Sequence, residues 1–263
     1  MQVKKIKILN KEFKSPITCL TAYSATVAKI LDGNVDIILI GDSLGSTLYG
    51  MSNTQGVTLE MMKIHGNIVT KNINKSISII DMPYNTYRNK LQALKNARDL
   101  IKYSKAKMLK LEINKKNLSI IKYLNNKKFN IVAHIGVTPQ SFKDFKKIRV
   151  VGKDIIQKEK LINLALNAEK AGAKIILLEC VYERTAKEIT SKVSIPTIGI
   201  GSSKFCDGQV LVFDDLIKTD ETKQVPKFVK NYMNFSKLSK RAIKNFSKDV
   251  KKRKFPNKKY SYL

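Results

Sequence analysis

No apolar run in the 263 residues approaches the roughly 18 that a membrane span needs. The charged start, "MQVKKIKILNKEF", carries no apolar core behind its basic residues. A cytoplasmic protein with no membrane partner is therefore expected. Cysteine is also scarce: Cys19, Cys180 and Cys206 are odd in number, scattered, and set beside strand-like apolar sequence rather than in a C-x-x-C pair. They read as buried thiols, not as a disulfide framework. With no Cys cluster and no His-x-x-x-His among the two histidines, a zinc site has no ligand set. Arginine is the third shortage. Only six of the 50 basic residues are Arg, and the other 44 are Lys spread along the whole chain.

That shortage bears on the net charge of +29, which by itself invites a nucleic-acid reading. Bidentate recognition of bases and phosphates favours Arg, and RNA-binding sheets add interleaved aromatics. Neither feature is visible, so no nucleic-acid partner is expected and the lysines read as a solvated surface. A positive field still draws in small anionic substrates. A basic protein that binds RNA remains the rival of another class, and steeply salt-dependent binding would reveal it.

What the chain does have is a repeated pattern. Short β-branched runs occur at 16–20, 36–40, 76–80, 106–111, 130–134, 173–179, 196–200 and 209–213. Helical periodicity lies between them, at 58–71, 91–103, 158–172 and 182–193, with Gly172 where a helix would end. Eight strands alternating with helices predict an α/β fold of the (β/α)8 TIM-barrel class. An open doubly wound sheet is the alternative, but no G-x-G-x-x-G follows an early strand. After Asp215 the pattern turns to "VPKFVKNYMNF" and "LSKRAIKNFSKDVKKRKFP", read as one or two basic amphipathic helices packed on the barrel. One domain over 1–263, with a helical tail at 220–263, is expected.

The chemistry gathers at strand ends. Asp42 follows the second strand, Asp81 the third, Lys110 and Glu112 the fourth, His134 the fifth and Glu179 the sixth. In a barrel these ends share one rim, where active sites are built. Lys110 and Glu112, two apart, face the same side if strand geometry holds through both. Any one of these could be a turn cap or surface charge, Asp42 included; six on one rim are harder to explain that way. Three converging carboxylates, Asp42, Asp81 and Glu112, call for a cation, and oxygen-only ligands suit magnesium. Such an ion can chelate a 2-oxo acid and stabilise the enolate formed when the neighbouring carbon loses a proton. Glu179, after "IILL", is the candidate base, because apolar surroundings raise a carboxylate's pKa toward the working range. Lys110 either holds the substrate carboxylate or forms a Schiff base. His134 either hydrogen-bonds substrate or is structural, and His65, inside a helix, reads as structural.

Several stretches together resemble ketopantoate hydroxymethyltransferases: "LTAYSATVAKI", "DIILIGDSLG", "VTLEMMKIH", "DMPYNTY", "MLKLE", "AHIGVTPQS", "LLECV", "IPTIGIGSSKFCDGQVLV" and the late "PKFVKNY" and "FP". The resemblance runs from about residue 15 to 256. It implies a (β/α)8 barrel that transfers a hydroxymethyl group from 5,10-methylenetetrahydrofolate to 3-methyl-2-oxobutanoate, giving 2-dehydropantoate for pantothenate and coenzyme A. It further implies Asp42 and Asp81 as ligands of Mg2+, and Glu112 at that metal directly or through water. Ser43 and Lys110 match substrate-binding positions and Glu179 the proton acceptor. A cytoplasmic homo-oligomer, commonly a decamer, is implied as well. The chain departs from the family's usual pattern at Ser24 (usually Asp), Ala133 (Gly), Ile113 and Asn114 (Gly-Gly), "GSS" (GAG) and the glycine-poor loop 142–153. These departures gather on the folate side and after His134, while the metal and base positions keep the family's residues.

Overall fold

Eight parallel strands close on themselves in sequence order, β1 pairing with β8 to complete the ring. They are β1 (Ile17–Thr21), β2 (Ile37–Ile40), β3 (Ile77–Asp81), β4 (Met108–Glu112), β5 (Ile131–Gly136), β6 (Ile175–Glu179), β7 (Thr197–Ile200) and β8 (Gly208–Leu211). The structure, a computed structural model, describes residues 11–13, 15–144, 149–222 and 225–262. The start of the chain that was read for targeting signals, and 145–148 of the loop 142–153, lie outside the described residues. The expected TIM barrel is present. Among the described residues no helix is long and apolar enough to cross a membrane.

Helices follow the strands: α1 (Ala25–Leu31), α2 (Leu44–Thr47), α3 (Leu59–Thr70), α4 (Lys90–Ser104), α5 (Leu118–Asn126), α6 (Ile155–Lys170) and α7 (Glu183–Lys192). Their starts are set by short polar side chains that accept a backbone N–H of the first turn: Ser24 from Val27, Thr58 from Met61, Asn89 from Gln92 and Asp154 from Gln157. Gly172 lies two residues past the end of α6 at φ +98°, where its N–H reaches Glu169 O and the next N–H reaches Ala168 O. This positive-φ closure is what a glycine beyond a helix end supplies.

Strand alternation decides what faces the barrel interior. Successive side chains point to opposite faces, so every second residue turns inward. The interior cluster contains Ile77 and Ile79 from β3, Met108 from β4, Val132 from β5, and Ile175 and Leu177 from β6. Continuing each strand by two residues reaches Asp81, Lys110 and then Glu112, His134, and Glu179. One inward column on each of these strands is therefore apolar at its floor and ionisable at its rim. The ladders keep the rim level: Asp81 pairs with Lys110, Glu112 with His134, and Gly136 with Glu179.

At the seam, Ile17 pairs with Gly208. A Cβ on Gly208 would stand 2.6 Å from Ile17 O, so only a glycine lets these two strands meet.

The chain divides into two compact units, Met1–Leu211 and Val212–Leu263. The second contains α8 (Phe213–Ile217) and α9 (Phe235–Lys251). The strand expected over 209–213 ends at Leu211; Asp214 and Asp215 open α8, where acidic residues suit the first turn. Of the one or two helices expected over the last stretches, the long α9 forms, and the residues from 225 to 234 ahead of it are irregular. Instead Tyr232 N donates to Leu216 O and Asn231 Nδ2 to Asp215 O, which satisfies the open end of α8. Asn234 then caps α9 by accepting from Lys237 N. Phe255 stacks between Phe246 and Tyr260 within this unit.

Candidate active site

Asp42 lies two residues beyond β2, across Gly41. A Cβ on Gly41 would approach Ser43 Oγ to 2.9 Å and Asp81 Oδ2 to 3.7 Å. The bare backbone there leaves room for Asp42 N to donate to Asp81 Oδ2 at 3.0 Å. The carboxylate of Asp42 does not cap its own turn: its Oδ2 accepts from Gln140 Nε2 at 2.7 Å. Ser43 precedes α2 but makes no side-chain cap; its hydroxyl lies 2.7 Å from Tyr23 OH.

The rim groups form one network. Lys110 Nζ stands 3.0 Å from Asp81 Oδ2 and 3.4 Å from His134 Nδ1. An ammonium can only donate, so Nδ1 is the accepting nitrogen and the ring proton belongs on Nε2. That nitrogen faces Glu179 Oε2 at 3.2 Å, close but out of line, so Nε2 is left without a hydrogen bond. On the other side of the ring, Glu112 Oε1 is 3.7 Å from His134 Nδ1. Both Glu112 oxygens accept from Gln140 N, at 3.2 and 3.1 Å. Lys110 and Glu112 do share a face, as their spacing requires.

Asp42, Asp81, Lys110, Glu112, His134 and Gln140 are all buried, and their ionisation reflects it. Burial, then the neighbouring Asp81 charge, pushes the Asp42 carboxyl up to about 7, against the pull of Lys110 and Gln140. Burial and the Asp42 charge likewise hold Glu112 well above the usual carboxylate range. For Lys110, burial works against the ammonium, but Asp81, Asp42 and Glu112 outweigh it and the pKa rises. His134 is lowered by burial and by Lys110, and Glu179 offsets this only in part. The imidazole is thus neutral beside a permanent cation. The Glu179 side chain is less enclosed, at 19% exposure.

Asp81, Asp42 and Glu112 act on one lysine, Glu179 stands beside His134, and Asp81 Oδ1 is buried without any hydrogen bond. Such an orphan costs a few kcal/mol and suits an absent cation. Among the described residues, no three of the His, Cys, Asp and Glu groups stand close enough together to hold an ion. The unpartnered Asp81 oxygen beside Asp42 is the feature here that would suit a hard cation. A cleft of about 240 Å³ opens beside the network between the loops after β3, β4 and β5, lined by Tyr84, Tyr87, Arg88, Glu112, Asn114 and Gln140 among others.

The structure brings Asp42, Asp81, Lys110, Glu112, His134 and Glu179 together, with Ser43 beside Asp42. His65 stays apart: Nδ1 meets Tyr23 O at 2.7 Å and Nε2 meets Tyr49 OH at 2.9 Å, a structural pair of contacts. The three cysteines are buried and free, as expected. Sequence reading missed Gln140, Tyr87 and Tyr23. All three lie inside "VTPQS", "DMPYNTY" and "LTAYS", stretches already singled out, but as uncharged loop residues they gave no electrostatic signal.

A family model described as ketopantoate hydroxymethyltransferase matches residues 1–258. A 3-methyl-2-oxobutanoate hydroxymethyltransferase of Pelagibacter ubique (strain HTCC1062) is 46% identical over 262 residues, covering 100% of both chains. One of the same name from Helicobacter pylori (strain ATCC 700392 / 26695) is 39% identical over 252 residues, 96% of this chain and 93% of that one. Among solved structures, phosphoenolpyruvate phosphomutase from Streptomyces platensis subsp. rosaceus superposes with a TM-score of 0.62 at 10% identity, over 95% of this chain and 87% of that chain. That last likeness is one of fold.

Proposed function

The chain belongs to the ketopantoate hydroxymethyltransferase family, and on that premise we propose that it transfers a hydroxymethyl group from 5,10-methylenetetrahydrofolate to 3-methyl-2-oxobutanoate. The product is 2-dehydropantoate, on the route to pantothenate and coenzyme A. The observation that carries this reading is the ionisable top of the interior column: a lysine and a neutral histidine among four carboxylates, one of them the more open Glu179. A 2-oxo acid needs a cation for its carboxylate, a base for its C3 proton and compensation for the charge that then develops on the keto oxygen.

Lys110, kept charged by its carboxylate neighbours, receives the substrate carboxylate together with the Ser43 hydroxyl. Glu179 takes the proton from C3, with the neutral His134 ring 3.2 Å from its carboxylate. The electron pair left on C3 attacks the methylene carbon of the donor as its bond to one folate nitrogen breaks; water then displaces the second nitrogen and becomes the hydroxyl, and tetrahydrofolate leaves with the proton taken by Glu179 and one from that water. Asp42 and Asp81 would hold Mg2+, with Glu112 reaching it through water because both its oxygens already accept from Gln140. Bound there, the ion supplies Lewis-acid polarisation of the keto oxygen. The cleft beside Glu112 offers the donor a way in, with Tyr84 as a flat apolar surface.

Purified protein with magnesium, 3-methyl-2-oxobutanoate and 5,10-methylenetetrahydrofolate is expected to form 2-dehydropantoate, followed by chromatography. Exchange of the C3 proton with no product in the presence of the donor would point instead to a lyase or aldolase that forms the same enolate.

A further inference from the structure

The residue that links Asp42 to Glu112 is one that carries no charge. Gln140 sits in a turn of 3-10 helix, Pro139–Ser141, and is 4% exposed. Its backbone N–H lies between both oxygens of Glu112. Its side-chain amide spends one hydrogen on Asp42 Oδ2 at 2.7 Å and the other on Met82 O at 3.0 Å. Its Oε1 accepts from Tyr87 OH at 2.6 Å, and its carbonyl accepts from Gln55 Nε2 at 2.9 Å. With the amide turned over, Oε1 would confront a carboxylate oxygen and a carbonyl, losing both donated bonds and setting acceptor against acceptor. Only one orientation satisfies the surroundings. The phenol keeps its proton for the same purpose, since burial and the Glu112 and Asp42 charges push it well above the usual tyrosine value.

We propose that Gln140 is a positioning residue that fixes which way the Asp42 and Glu112 carboxylates face, and that Tyr87 acts through it by fixing the amide. With Asp42 Oδ2 and both Glu112 oxygens engaged, Gln140 fixes two carboxylates, so that Asp42 is presented to an ion beside Asp81, itself held by Asp42 N and Lys110, and Glu112 is held back. The proposal rests on the magnesium reading of the site given above.

The test is a double-mutant cycle of Gln140→Leu and Tyr87→Phe in the full chain, read by calorimetric titration with magnesium chloride. Each variant is first shown to keep the near-ultraviolet circular dichroism of the parent. Gln140→Leu is expected to weaken magnesium about tenfold, in the range for residues that orient ligands. Tyr87→Phe alone should weaken it about threefold, and should add nothing in the Gln140→Leu background, because its effect passes through the amide. A threefold loss from Tyr87→Phe in both backgrounds overturns the proposal, as does Gln140→Leu with the parent's affinity. If the parent takes up no magnesium, the functional reading fails and this inference with it, an outcome distinct from additivity.

Discussion

The floor and the rim of the barrel interior are built by the same strands, in the same register, at nearly the same burial, and they do opposite things. Ile79 and Leu177 at the floor and Asp81 and His134 at the rim are all at most 6% exposed. Alternation selects which residues face inward; height along the strand then selects the chemistry. At the floor, burial itself stabilises, by about 25 cal/mol for each Å² of apolar surface removed from water. At the rim, burial costs free energy, and the groups persist because each satisfies another. The Lys110–Asp81 contact, the Gln140 bonds to Asp42 and Glu112, and the Lys110–His134 contact supply most of that satisfaction, with Asp81 Oδ1 and His134 Nε2 left over.

The contrast can be broken from either side. The largest effect is expected from Glu179→Gln, which should lower C3 proton exchange on 3-methyl-2-oxobutanoate by roughly 10²–10⁴-fold while leaving magnesium binding in place. Exchange at the parent rate, followed by proton NMR in deuterium oxide, would remove Glu179 as base. Next, Asp81→Ala strips the partner from a buried ammonium and should cost about 3–5 kcal/mol of stability as well as magnesium affinity. An unchanged denaturation midpoint and an unchanged titration would contradict both roles. Leu177→Ala, from the floor beneath, should cost about 2–5 kcal/mol by opening a cavity, with turnover per folded molecule preserved. A catalytic loss there beyond the loss of folded protein would dissolve the distinction between floor and rim.

The smallest effect concerns pH. Burial and the Asp81 charge push the Asp42 carboxyl from its ordinary 3.8, the value of the unfolded chain, up to about 7 in the fold. Between those values the folded protein holds a proton that the unfolded chain has lost, so its contribution makes stability fall as pH rises. The slope reaches at most about 1.4 kcal/mol per pH unit. Metal-free Asp42→Asn should lack that part of the slope in melting curves from pH 4 to 7, and parallel curves for parent and variant would show Asp42 to be ionised throughout.

Floor and rim were not equally legible in the sequence. All eight strands could be read, because β-branched runs bounded by polar residues have few other uses in a chain this size. The charged rim was also readable: Asp81, Lys110, Glu112, His134 and Glu179 interrupt apolar runs, which burial makes expensive without a purpose. Gln140 and Tyr87 were not, since neutral amides and phenols are ordinary in loops and their value here comes from partners distant in sequence, such as Asp42 for Gln140. The choice between one and two helices after Asp215 was left open for the same reason. Apolar spacing over "VPKFVKNYMNF" allowed a second helix, but Asn231 and Tyr232 donate to the carbonyls of Asp215 and Leu216 instead.

The meeting of Ile17 with Gly208 also sets an order of events in time. Its two strands begin and end the barrel, so closing the ring means bringing together the most distant partners of the sheet, while every other ladder joins consecutive strands. Pulse-labelled hydrogen exchange during refolding should find the β1–β8 amides protected last. Until that moment both strands expose unpaired edges, and a growing chain is open to pairing with its neighbours there. Protection at the seam before the β4–β5 ladder would reverse that order.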